Sequence, residues 1–225
     1  MDTPGADGLH RRPLRAALLL AAAAAITVGT VAYVHDLAQP RIDANERARR
    51  VAKLAAVLGN ARYDNDLLRD VVMVRDAELL GTDAAVPVFR ARLADEPVAA
   101  LIETVAPDGY AGSIRLLVAV GADGRLLGVR VLSHRETPGL GDLIDERRSD
   151  WIRSFAGRSL GSPAQARWRV RKDGGDFDQF TGATVTPRAV VAAVLNALLY
   201  FDAHREALFA APPEPAGVQR STGRP

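Results

Sequence analysis

Two segments of this chain carry residue types that could do chemistry. The first runs from Asp173 to Pro187 and contains three glycines, three threonines and three aspartates ahead of a long apolar run. Thr186 and Pro187 suit the N-cap and first position of a helix. That leaves Thr181-Gly182-Ala183-Thr184 unexplained, since such small residues let backbone come close to a bound group. Backbone N–H groups at a helix start attract phosphate through unpaired donors and the helix dipole. A phosphate-binding loop and a plain helix cap both remain open on these grounds. The second segment, His134 to Asp142, places ionisable residues around Thr137-Pro138-Gly139-Leu140-Gly141, a composition suited to a turn. His134 reads as a surface or capping residue, and four histidines in the chain give little basis for a metal site.

These segments need elements to hold them. Ser113–Gly121 and Leu126–Ser133 are apolar runs flanking Ala122-Asp123-Gly124, a hairpin signal that delivers the chain directly to His134. Pro87–Leu93 alternates as a strand, Val98–Val105 is apolar enough for another, and Arg167–Lys172 reads as a short one. After Pro187, Val190, Val191, Val194, Leu195, Leu198 and Leu199 fall on one helical face. Residues 41–58 read as a helix ended by Gly59-Asn60, and Asp64-Asn65-Asp66 as a cap or turn before Leu67. Strands and helices do not alternate as βαβ units, so the expected class is α+β with antiparallel strands and packed helices.

Upstream, the chain is uncharged from Ala16 to Val34, close to the ~20 residues a helix needs to cross a bilayer. A cleaved signal peptide competes, but its apolar core spans about 7–15 residues. The resulting division is a cytoplasmic tail at 1–15, a single transmembrane anchor at 16–37, an extracytoplasmic domain at 41–208 and a disordered Pro/Gly-rich tail at 212–225. Basic residues flank the run on both sides, and those nearest it are N-terminal, which favours the domain outside.

Composition narrows the classes further. A net charge of +2 argues against a nucleic-acid binder working by bulk charge. The absence of cysteine excludes disulfides, thiolate zinc, iron–sulfur clusters bound by this chain and cysteine catalysis. No GxGxxG, P-loop or GxSxG motif is present, and an anchored hydrolase lacks a nucleophile–base arrangement.

Asp178, Thr181, Gly182, Ala183 and Thr184 together resemble the flavinylation motif of FMN-binding domains, in which a flavin transferase joins FMN to a threonine by a phosphoester. The chain as a whole is similar to the G subunits of Rnf-type ion-translocating electron-transport complexes. The likeness runs through Asn65–Leu68, Val74–Gly81, Pro107–Gly112, Glu136–Gly141 and Trp151. Thr181 stands where the motif usually opens with serine, and Pro187 where a serine often follows. The resemblance implies covalent FMN on Thr184, transferase recognition through Asp178, and a flavin-ring loop including Glu136, Thr137, Gly139 and Leu140, with a core at about 100–200. It further implies an electron-transfer subunit of a bacterial inner-membrane complex, domain on the periplasmic side, with other subunits as partners. The C subunit of sodium-pumping NADH:quinone reductase shares both motifs and is one alternative; a flavin-free periplasmic scaffold or sensor is another. The apolar run contains no Asp, Glu or Lys, so any ion path belongs to partners.

Overall fold

The structure, a computed structural model, describes residues 11–213. Residues 1–10 of the expected N-terminal tail and 214–225 of the expected C-terminal tail lie outside the described residues. The chain divides after Arg50 into two compact units.

The first unit is helical. Helix α1, Arg11–Leu58, takes in both the apolar run and the segment expected as a separate helix at 41–58, continuing through Pro40. Its apolar side chains, among them Leu20, Ile26, Val28 and Val31, are exposed. Length and composition suffice for a membrane span. Helix α3, Val185–Ala210, passes the same test but is largely buried inside the second unit, as the core helix of a folded domain should be.

The second unit is an antiparallel meander in the order β1 (Val71–Asp76), β2 (Thr82–Leu93), β3 (Glu96–Ala106), β4 (Ile114–Gly121) and β5 (Leu126–Ser133). A single helical turn, α2 (Ala77–Leu80), lies between β1 and β2, capped by the Asp76 carboxylate accepting the Leu79 N–H. In-register pairs such as Val72 with Val88, Phe89 with Leu101, Ile102 with Val118, and Val118 with Val129 run across the sheet. Both faces are covered. Ala100, Ile102, Leu116, Val118 and Val120 pack with α3, while Leu101, Leu117 and Ala119 pack with Leu54, Val57 and Leu58 from the end of α1. A sheet covered on both faces reads as near-continuous apolar strands, as β4 does.

The predicted hairpin is present, with Gly124 at φ +81° in its turn. The predicted strand at Arg167–Lys172 is not. Trp168 and Val170 are buried with Arg169 and Arg171 exposed, but the segment makes only one parallel bridge, Val170 to Phe177, between 3₁₀ turns at Gln165–Arg167 and Arg171–Asp173. Alternation reports which way side chains point, and a strand also needs a ladder partner.

Candidate functional site

The two segments singled out in the sequence meet at the start of α3. Glu136 joins them. It is 4% exposed, and its carboxylate accepts the Ala111 N–H on Oε1 (3.1 Å) and the Thr186 hydroxyl on Oε2 (2.5 Å). One buried carboxylate thus ties the loop after β3, the loop after β5 and the first turn of α3. Thr186 is fully buried, so the helix-capping role expected for it is not the one it fills. The helix begins a residue earlier, at Val185, and the Thr186 hydroxyl reaches across the fold instead. Pro187 is buried in the first turn, where its missing N–H costs no helical bond.

The residue at the N-cap is Thr184. Its backbone is helical (φ −75°, ψ −24°), and its side chain makes no capping bond. An N-cap threonine ordinarily sits in extended geometry and gives its oxygen to the second or third helical N–H. Here the half-buried Thr184 hydroxyl is left free of that duty at a helix start, where the first N–H groups have no intrahelical partner.

Upstream, the loop is pinned by aromatics. Phe177 and Phe180 are buried on either side of Asp178. Phe177 stacks on Phe155 (4.7 Å between centroids), and Phe180 meets Trp151 edge-on (5.3 Å). The Trp151 indole N–H donates to the Asp178 carbonyl (2.8 Å). This leaves the Asp178 carboxylate exposed, facing Arg171 at 3.0 Å. Thr181 and Gly182 are exposed on a turn with Gly182 at φ +81°, and Ala183 is half-buried. Asp173 pairs with Arg188, whose hydrogen bonds hold the Asp173 carboxyl below the usual range.

The facing loop turns on the Thr137 carbonyl, which accepts the N–H groups of Leu140 and Gly141. Gly139 takes φ +77° and donates its N–H to the Asp142 carboxylate (2.7 Å). Gly141 is buried against the Glu136–Thr186 bond: a methyl there would sit 2.7 Å from Glu136 Oε2 and 2.9 Å from Thr186 Oγ1. Leu140 is 44% exposed and faces Gly182 across the gap between the loops. His134 accepts the Glu136 N–H on Nδ1, the local capping role expected of it. Just beyond, the Arg147 side chain bonds Asp145 and holds its carboxyl down at about 2.

Gly182 is therefore set against Leu140, and Glu136 is tied to Thr186, two residues past Thr184. Asp178 faces outward at the loop's far end. Sequence reasoning missed Thr186 as the partner of Glu136 and Ala111 as its second donor. The only available signal was two short polar segments with no local hydrogen-bond partner, since the partners are 50 and 25 residues apart.

Residues 109–199 match the FMN-binding domain family, and residues 11–57 match the RnfG N-terminal region. The chain is 53% identical over 208 residues to the G subunit of the ion-translocating oxidoreductase complex of Pseudomonas aeruginosa strain UCBPP-PA14, covering 92% of this chain and 97% of that one. The subunits of the same name from Vibrio atlanticus (49% over 195 residues; 87% and 93% covered) and Shewanella baltica (46% over 194; 86% and 92%) are similar along nearly their whole length. With matches of this identity along nearly the whole chain, the chain belongs to the G subunits of ion-translocating oxidoreductase complexes.

Proposed function

We propose that the chain is an electron-carrying subunit of a membrane-bound, Rnf-type ion-translocating oxidoreductase complex, with FMN attached covalently through its phosphate to Thr184. Family membership supports the coarser part, an FMN-binding subunit working among other subunits. The observation that carries the attachment is the Thr184 hydroxyl: half-buried, at the N-cap of α3, and making no capping bond. Of the two other hydroxyls nearby, Thr186 is buried and committed to Glu136, and Thr181 lies out on the turn.

The residues present fit the group. The first turn of α3 offers backbone donors for phosphate oxygens, and Gly182, Ala183, Thr137, Gly139 and Leu140 leave an open, partly apolar rim for a planar ring. Glu136 serves by fixing both loops. When bound, the flavin supplies the redox chemistry and the protein supplies its placement. Attachment makes a new ester from the Thr184 oxygen to the flavin phosphate. The hydroxyl proton is lost and, for an anhydride donor such as a dinucleotide flavin, the other phosphate half leaves. A flavin transferase performs this step and reads Asp178, whose exposed carboxylate is accessible to a partner. Helix α1 anchors the subunit in the inner membrane with the domain on the periplasmic side, and the ester keeps the carrier from being lost there. Ion movement belongs to partner subunits.

The test is intact mass and in-gel flavin fluorescence of the chain expressed with a flavin transferase, beside Thr184→Ala. A gain of FMN minus water that disappears in the variant supports the reading. An unmodified wild-type chain in the presence of active transferase overturns it.

A further inference from the structure

Three threonines lie within six residues of one another where the chain enters α3, yet only one hydroxyl among them is locked away from solvent by a carboxylate. We infer that Glu136 is a positioning residue for flavin attachment: by burying the Thr186 hydroxyl and clamping the first turn of α3, it presents Thr184 as the acceptor. The inference rests on the covalent reading above and names a residue that acts through another rather than by touching flavin.

The geometry supports it from both sides of the carboxylate. Oε2 takes the Thr186 hydroxyl at 2.5 Å, and Oε1 takes the Ala111 N–H at 3.1 Å, so both oxygens are used on protein donors. Thr186 is two residues from Thr184, and α3 starts between them. Fixing the Thr186 side chain therefore fixes the turn that carries the Thr184 Oγ. The surroundings allow little slack: Gly109 and Gly141 both crowd Glu136 so closely that a methyl on either would come within 3 Å of its carboxylate. Without the clamp, the turn gains freedom, the acceptor hydroxyl spends less time in a reactive pose, and a second hydroxyl becomes available. A misplacement of about 1 Å can slow a positioned reaction by as much as ~100-fold.

The experiment follows flavin attachment over time in the full chain, in membranes, with a flavin transferase and a dinucleotide flavin donor. Intact mass gives the rate, and peptide mass spectrometry gives the site. Glu136→Ala is expected to slow attachment at Thr184 by about tenfold or more and to yield some product at Thr186. Glu136→Gln recovers most of the rate, because its carbonyl can take the Ala111 N–H and its amide can donate to the Thr186 oxygen. Thr186→Val removes the same bond while keeping the side-chain volume; it is expected to slow attachment as well, with all product at Thr184. If Glu136→Ala does not fold, Thr186→Val decides alone. A wild-type rate in Thr186→Val, or a wild-type rate with product only at Thr184 in a folded Glu136→Ala, overturns the inference and leaves the covalent reading standing. A wild-type chain that takes no flavin removes both.

Discussion

At the scale of single residues, the site depends on two glycines that look alike in sequence and do different work. Gly139 adopts φ +77° with open space around it, so an alanine there meets a conformational cost and no neighbour. Gly141 has no such backbone demand, but its α-carbon faces the bond between Glu136 and Thr186. Gly139→Ala is expected to cost about 1 kcal/mol of stability without touching the bond between Glu136 and Thr186. Gly141→Ala is expected to cost about 1–3 kcal/mol by overpacking and to slow attachment, because the methyl pushes the clamp apart. Denaturant unfolding and attachment rates measured side by side check this. An attachment rate in Gly141→Ala equal to that of the wild-type chain would mean the clamp tolerates displacement and is not what positions Thr184.

At the scale of elements, the unusual feature is how α3 ends. Its last turn contains no basic residue, though a helix C-terminus favours one. The cations come from β2 instead. Arg90, 1% exposed, donates to the carbonyls of Leu208 and Ala211 and to Asp70, while Arg92 donates to the carbonyl of Phe209 and to the same Asp70. Asn65 braces the pair by donating to Asp70 and to the Arg90 carbonyl. Arg90→Met keeps much of the buried volume and leaves Asp70 its bonds to Arg92 and Asn65, but it takes the side-chain donor from the Leu208 and Ala211 carbonyls, and an unmet buried acceptor costs about 1–3 kcal/mol. Hydrogen exchange is expected to quicken first over residues 205–211, before the sheet; uniform change across the domain would instead point to a general packing loss. Of these elements, the β4–β5 hairpin and α3 were legible because local signals specify them: an Asp-Gly turn, and one apolar helical face. The strand expected at 87–93 ends where β2 does, but the tight turn that follows it was not legible. That turn uses Ala94 and Asp95, both at positive φ, where glycine or asparagine would have announced it. The alternation over Pro87–Leu93 marks a strand but not that Arg90 is buried, since the carbonyls it donates to, those of Leu208 and Ala211, lie more than a hundred residues away.

At the scale of the whole molecule, the sequence starts the domain at residue 41 and reads a helix over 41–58, but does not say which residues of that helix pack on the rest. The side chains of its last turns do. Leu54, Val57 and Leu58 are 6%, 1% and 1% exposed and share a cluster with Leu67, Val71, Phe89 and Leu117 on the sheet face opposite α3. Gly128 on β5 is bare at the point of closest approach: a methyl there would come 2.7 Å from the Val57 carbonyl oxygen. The last two turns of α1 are therefore a layer of the domain. Full burial of a Leu or Val contributes about 1.5–3 kcal/mol, and the denatured chain already hides part of that area. Three such residues then amount to roughly 5 kcal/mol, a large share of the ~5–15 kcal/mol that holds a domain together. A fragment beginning at Val51 is expected to be soluble without detergent and to unfold in one cooperative transition. A fragment beginning at Gly59 loses that layer and is expected to melt about 10–20 °C lower, with the sheet face left open to aggregation. Thermal unfolding of the two fragments at matched concentration makes the comparison. Equal melting temperatures would mean that residues 51–58 belong to the anchor and that the sheet is stable with one face bare.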